Sequence, residues 1–201
     1  MSHLHSPTAT EIRASLASGD TSARALVASA LNRIDTENPA LNAVVQRCDK
    51  RALATADAVD QALAIGQDPG SLAEIPVTVK VNVDQAGFAT TNGLRLQQDL
   101  IATEDNPVVA NLRRAGAIII RRTNTPAFSL RWFTRNLVHG ATINPRDSGL
   151  TPGGSSGGAA VAVASGMGPT GHGTDIAGSV RYPSYAYGVH GLRPSFGRVP
   201  P

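Results

Sequence analysis

Three places in the chain combine residue types that chemistry uses. The first is Gly153-Gly154-Ser155-Ser156-Gly157-Gly158, which precedes an Ala/Val run from Ala159 to Ala164. A glycine-rich loop opening a helix offers free N–H groups and the positive end of the helix dipole, suited to an anion or an oxyanion. No lysine follows, as a nucleotide-phosphate loop would require, and no clear strand precedes, as the dinucleotide fingerprint would. The second place is Gly173-Thr174-Asp175-Ile176-Ala177-Gly178-Ser179-Val180-Arg181. Small residues ahead of Ser179 let successive backbone amides converge near its hydroxyl, and a nucleophile beside such donors is the minimum for acyl transfer. Asp175, ionised and acceptor-only, suits positioning. His172 and His190 are available as bases, although histidines serve more often as structural polar groups.

The third place is Lys80. Of the 18 basic residues, all are arginine except Lys50 and Lys80. Arginine holds its proton near neutrality, whereas burial lowers the ordinary lysine pKa of ~10.4 by several units and makes the amine a base. The competing reading is a lysine that snorkels from a strand end. A second rival concerns Ser155. Gly153-x-Ser155-x-Gly157 matches the nucleophile elbow, and Asp175 and His190 follow in the chain order of a Ser-His-Asp α/β-hydrolase. That elbow needs a strand directly before the serine, and Asn144 to Pro152 reads instead as a loop with two prolines.

The elements that would hold these residues follow from periodicity. Thr10 to Ala17 and Ser22 to Ile34 read as helices separated by Gly19-Asp20. In the second, Ala23, Leu26, Val27, Ala30 and Ile34 share a face and Ser22 is the N-cap. Asn42 to Val45 reads as a short strand and Asp49 to Ile65 as a helix. Ile75 to Val83 is a β-branched strand that carries Lys80 near its polar end. Asn106-Pro107 opens a helix that stops at Gly116, and Ala117 to Ile120 follows as an apolar strand. Helix, glycine stop and apolar strand in that order point to an α/β fold with a sheet covered by helices. Twelve of the 20 glycines fall between Gly153 and Gly197, where they permit close backbone approach or simple turns.

Composition excludes other classes. With 201 residues, 41% hydrophobic and 16% charged, the chain has material for a sizeable core, against general disorder. A net charge of +3 does not make nucleic acid the expected partner. One cysteine, Cys48, forms no internal disulfide, and no Cys/His spacing calls for a metal. His3 and His5 sit in a polar terminus and read as a frayed end. The chain shows neither an apolar leader nor a membrane-spanning run, so a cytoplasmic protein without membrane association is expected.

These residues, taken in order, resemble the amidase signature family. The resemblance rests on Pro76-Val77-Thr78-Val79-Lys80, Ala115 to Ile120 and Thr123-Asn124-Thr125-Pro126. It continues from Gly153 to Arg181 and through Gly188 to Pro200, and covers about residues 10 to 201. It implies an α/β fold with a central mixed sheet flanked by helices. Residues 1–9 would form a disordered tip, and 10–201 the N-terminal part of a single amidase domain. It also implies a Ser/cis-Ser/Lys triad: Ser179 as acylated nucleophile, Ser155 as bridging serine after a cis Gly154–Ser155 peptide, and Lys80 as base. Backbone amides around Ile176, Ala177, Gly178 and Ser179 would receive the oxyanion. The implied activity is hydrolysis of a carboxamide C–N bond in a small-molecule substrate, with no metal or organic cofactor.

Three departures stand out: Val81 where an Asp is common, Ala177 in place of an oxyanion-turn glycine, and Arg121 where a glycine is common. Family enzymes are more than twice this long, so the sheet is expected to be incomplete. That leaves an impaired enzyme, a homo-oligomer, completion by a C-terminal chain, or an inactive truncated remnant or interaction fragment as expectations. A transamidase subunit that supplies ammonia to a partner is a further alternative, and the segment Phe128 to Phe133 looks more like the general amidase branch.

Overall fold

The structure, a computed structural model, describes residues 7–199. His3, His5 and Pro200-Pro201 lie outside the described residues, as does most of the tip expected over 1–9. The end of that tip is helical. The Thr8 hydroxyl accepts the Glu11 N–H, and the Glu11 carboxylate accepts the Thr8 N–H, a reciprocal cap that starts α1 (Ala9–Ala17). In α2 (Ala23–Leu41) Ser22 caps as expected, its hydroxyl accepting the Ala25 N–H at 3.1 Å. The helix runs past the expected end at Ile34 because no stop signal precedes Asn42. Pro39 falls in the last turn, and Asn42 closes the helix in the left-handed conformation with φ 47°. The next strand consequently starts later than the expected Asn42, as β1 (Val44–Arg47).

Helix α3 (Asp49–Ala64) follows, and then β2 (Pro76–Lys80), which is buried along its whole length. The chain leaves the strand at Lys80 through a turn in which the Val83 N–H donates to the Lys80 carbonyl. Helix α4 (Pro107–Arg114) has the expected start: the Asn106 side chain accepts the Val108 N–H at 2.9 Å, and proline occupies the first turn. Its Val109 is fully buried, whereas Val108 and Leu112 pack against the core only in part.

Strand β3 (Ile118–Thr123) extends beyond the expected end at Ile120 through two buried arginines. Partners from three directions make that burial tolerable. Arg121 pairs with Asp35 of α2 at 2.7 Å and with Asp49 of α3 at 2.8 Å. Arg122 donates to Gln46 of β1 and to the carbonyls of Val83 and Ala89. Buried charge persists only when paired and hydrogen-bonded in this way.

A small hairpin, β4 (Arg135–Asn136) with β5 (Gly140–Ala141), precedes α5 (Gly157–Ala164), β6 (Thr170–Gly171) and α6 (Arg181–Tyr187). The main sheet has the order β1-β3-β2-β6. β3 is antiparallel to β1 and parallel to β2, and β6 is parallel to β2. This is the expected mixed sheet with helices packed against it. The main core joins Val27, Leu31 and Ile34 of α2, Ala52, Ala56 and Val59 of α3, Ile118 and Ile120 of β3, and α5. No helix among the described residues is long and apolar enough to cross a membrane.

Helix α5 contains only Gly, Ala and Val, because it lies very close to the sheet. A Cβ on Gly158 would stand 2.6 Å from both the N and O of Asn124 and 2.8 Å from the Ala43 carbonyl oxygen. These are backbone atoms of paired segments and cannot swing aside. Gly158→Ala is therefore expected to lower stability by about 1–3 kcal/mol, read as a reduced urea midpoint at unchanged m value.

Candidate active site

The parallel strands β2 and β6 deliver their carboxyl ends to one edge of the sheet, where open α/β folds form ligand crevices. Lys80 is the last residue of β2, and its side chain is 0% exposed. Its Nζ lies 2.7 Å from Ser155 Oγ, 2.8 Å from Thr174 Oγ1 and 3.1 Å from Ser156 Oγ. Burial drives the Lys80 pKa from the ordinary lysine value down to about 7, although the charge of Asp175 acts the other way. The snorkelling alternative is excluded by this burial.

The glycine-rich loop supplies Ser155 and Ser156 immediately before α5. The Gly154–Ser155 peptide is cis, in agreement with the resemblance. Ser156 stands at the N-cap position of α5, but its side chain caps nothing. It is turned toward the second loop, accepting the Thr174 N–H at 3.2 Å and donating to the Thr174 carbonyl at 3.3 Å. Its backbone N–H donates to the Ser179 carbonyl at 3.1 Å. Ser156 thus clasps both ends of the Thr174–Ser179 turn to the Ser155 loop. Ser179 itself is buried at 8% exposure, and its hydroxyl takes no hydrogen bond among the described residues.

Asp175 fixes the turn between them. Its side chain is 3% exposed, receives Arg181 through two nitrogens at 2.9 and 3.0 Å, and accepts the N–H groups of Gly178, Val180 and Arg181. The Arg181 guanidinium first, and then these backbone N–H groups, hold its carboxyl well below the usual carboxylate range. Gly178 adopts φ 103°, a conformation that suits glycine. Ala177 is absent from the positive-φ residues, so its methyl group is tolerated in place of glycine. Ile176 and Ala177 face solvent. Their N–H groups and that of Ser179 have no acceptor among the described residues, whereas the Gly178 N–H is committed to Asp175 at 2.7 Å.

The histidines stand apart from this arrangement. Ser155 Oγ has Lys80 as its partner, Asp175 is occupied by Arg181 and backbone amides, and His190 is exposed. A loop precedes Ser155, so the elbow constellation is not assembled. His172 donates its backbone N–H to the Thr78 carbonyl, and burial, followed by the Lys80 charge, pushes its pKa down to about 4. Sequence reasoning missed the hydroxyls of Ser156 and Thr174 as partners of Lys80, and Asn82, which donates to Thr174 Oγ1 at 3.1 Å. Ser156 and Thr174 both lie in the two segments singled out above; only the fold shows that their side chains point to Lys80. No group of His, Cys, Asp and Glu that could hold a metal occurs among the described residues.

The fold matches that of solved enzymes. A bacterial aryl acylamidase of the amidase signature family superimposes with a TM-score of 0.93 at 33% identity, covering 99% of this chain and 41% of that one. A family model described as Amidase matches residues 25–201. The chain belongs to the amidase signature family. Among proteins of similar sequence, an indoleacetamide hydrolase of Bradyrhizobium diazoefficiens is 48% identical over 192 residues, which cover 96% of this chain and 37% of the relative. A glutamyl-tRNA(Gln) amidotransferase subunit of Chromohalobacter salexigens is 40% identical over 196 residues, covering 98% of this chain and 40% of that relative. The chain therefore spans about two fifths of the length of these relatives.

Asp175 yields a prediction about acid stability. Its folded pKa is depressed, so its contribution is complete above the ordinary carboxylate value and is lost as pH falls below it. Asp175→Asn is expected to be less stable than the parent near neutrality and to show a flatter loss of stability between about pH 4 and 2, measured by urea melts across that range.

Proposed function

We propose that this chain carries the catalytic centre for hydrolysis of a carboxamide C–N bond through an acyl-enzyme on Ser179. The observation that carries the reading is the 2.7 Å contact between the wholly buried Lys80 amine and Ser155 Oγ. An amine with a pKa of about 7 is largely neutral just above neutrality. A neutral amine has two N–H donors and one lone pair. Donation to Ser156 and Thr174 leaves the lone pair for the Ser155 proton, so those two hydroxyls act as positioning groups.

The chemistry then balances. Ser155 passes its proton to Lys80 and takes that of Ser179 as Ser179 Oγ bonds to the amide carbon. The N–H groups of Ile176, Ala177 and Ser179 receive the developing oxyanion, a contribution of ~3–4 kcal/mol for a well-placed donor. Gly178 shapes that turn. Collapse of the intermediate breaks the C–N bond, and the proton returns through Ser155 to the departing nitrogen. Water, deprotonated by the same relay, attacks the ester, releases the carboxylic acid and restores Ser179. The scheme draws on the chain's own groups and one water molecule.

The higher identity to an indoleacetamide hydrolase than to an amidotransferase component supports hydrolysis of a primary carboxamide over delivery of ammonia to a partner. The test uses the purified chain, ammonia release from primary amides and covalent labelling by a sulfonyl fluoride. Label is expected on Ser179, and Ser179→Ala is expected to abolish both labelling and turnover. Lys80→Ala is expected to cost about 10³-fold, and His190→Ala little. A folded chain that neither labels nor turns over would establish the inactive-remnant alternative, and a requirement for His190 with Lys80 dispensable would restore the elbow mechanism.

The same reading fixes the direction of the pH dependence. Protonated Lys80 cannot accept the Ser155 proton, so the acylation rate is expected to fall about tenfold per unit below a pKa of about 7 and to level off above it. Labelling rates across that range measure the limb directly.

A further inference from the structure

Outside the polar centre, the segment between β3 and the glycine-rich loop is unusual. Thr125 Oγ1 donates to the Ser155 carbonyl at 3.3 Å, anchoring the start of this segment. The chain then loops out and returns to the same peptide. A Cβ on Gly154 would stand 2.6 Å from the Arg131 carbonyl oxygen and 2.7 Å from the Phe133 nitrogen, a closeness that only glycine allows. Residues 125–133 are therefore seated at both ends on Gly154–Ser155.

Between these anchors, Phe128 and Ser129 have φ of 59° and 56°, a region that bulky side chains avoid. The turn is held in place by its partners. The Phe128 N–H donates to the Asn92 carbonyl, and the Ser129 hydroxyl lies 3.0 Å from both Asn92 Oδ1 and Thr125 Oγ1. So pinned, the loop holds Phe128, Leu130 and Trp132 out to solvent, with Trp132 66% exposed. Large apolar side chains kept exposed by a braced, unfavourable turn beside Ser155 are characteristic of a binding surface.

Tyr182, in the first turn of α6, faces Trp132. Its N–H donates to the Gly178 carbonyl, and its ring edge passes within 3.4 Å of a Cβ built on Gly153. The Trp132 and Tyr182 rings lie 6.1 Å apart at 50°. One ring thus belongs to the segment anchored on Ser155, and the other to the helical turn that follows Ser179.

We propose that Trp132 and Tyr182 form the wall that receives the acyl side of the substrate, and that they select a carboxamide bearing a planar aromatic group. Two tilted rings present a face and an edge to a third, the arrangement that aromatic groups favour. The proposal rests on the assignment of Ser179 as the acylated residue, since that places the acyl group beside the turn leading to Tyr182.

Trp132 is the chain's only tryptophan, so its emission reports on the wall directly. In the full chain, phenylacetamide is expected to change that emission saturably, in the Ser179→Ala variant as well, whereas butyramide at equal concentration is not. The ratio of kcat/KM for phenylacetamide over butyramide is expected to fall roughly tenfold in Tyr182→Ala and Trp132→Ala, chiefly through KM, and to be retained in Tyr182→Phe. An emission unmoved by phenylacetamide, or a ratio unchanged by both alanine variants, overturns the wall. Saturable emission change in a chain without turnover overturns the triad alone and leaves the wall standing, so the two failures are distinguishable.

Discussion

A lysine amine completely removed from water and surrounded by three hydroxyl groups is the constraint around which this structure is arranged. An ammonium ion buried without an anion in contact is costly, and the chain lowers that cost by moving the pKa to about 7 rather than by supplying a carboxylate. Asp175, the nearest negative influence, is engaged by Arg181 and by three backbone N–H groups. That engagement keeps its charge on the turn and leaves the amine facing Ser155, Ser156 and Thr174. A carboxylate in contact with Lys80 would have stabilised the ammonium form and removed its basicity.

Keeping the amine dry requires close approach of backbone, and this accounts for the small residues around it. Helix α5 lies on the strands without side chains large enough to separate them, and Gly158 lies against the backbone of Asn124 and Ala43. Strand β3, one place over from β6 across β2, brings two arginines into the sheet, where Asp35, Asp49, Gln46 and two carbonyls partner them. The polar partners are spread over α2, α3, β1 and the loop after β2. The sheet that presents Lys80 is thereby tied to most of the chain.

Much of the site was legible in the residue string, and the reasons are local. The lysine stood out because arginine otherwise supplies nearly all the positive charge, and the two serine-bearing segments stood out because glycine clusters around them. Helix starts at Ser22 and Asn106 follow from capping chemistry within four residues. The misplaced boundaries have non-local causes. The end of α2 depends on Asn42, whose side chain donates to the His139 and Ala141 carbonyls nearly a hundred residues away. The buried end of β3 depends on acids in two different helices. A charged pair read locally looks like the end of a strand, since its partners are distant in sequence.

The sequence by itself determined the chemical inventory: Lys80 as one of only two lysines, serines in two glycine-rich loops, and an α/β order of elements. Composition and spacing do this because cap residues, helical periodicity and glycine clusters act over a few positions. Only the tertiary structure decided which of those groups meet. It brought Ser156 and Thr174 onto Lys80, withdrew the Gly178 amide to Asp175, left His190 exposed, and set Trp132 against Tyr182. Each of those outcomes depends on burial and on the direction in which a side chain points. Both are properties of packing between segments that lie far apart in sequence.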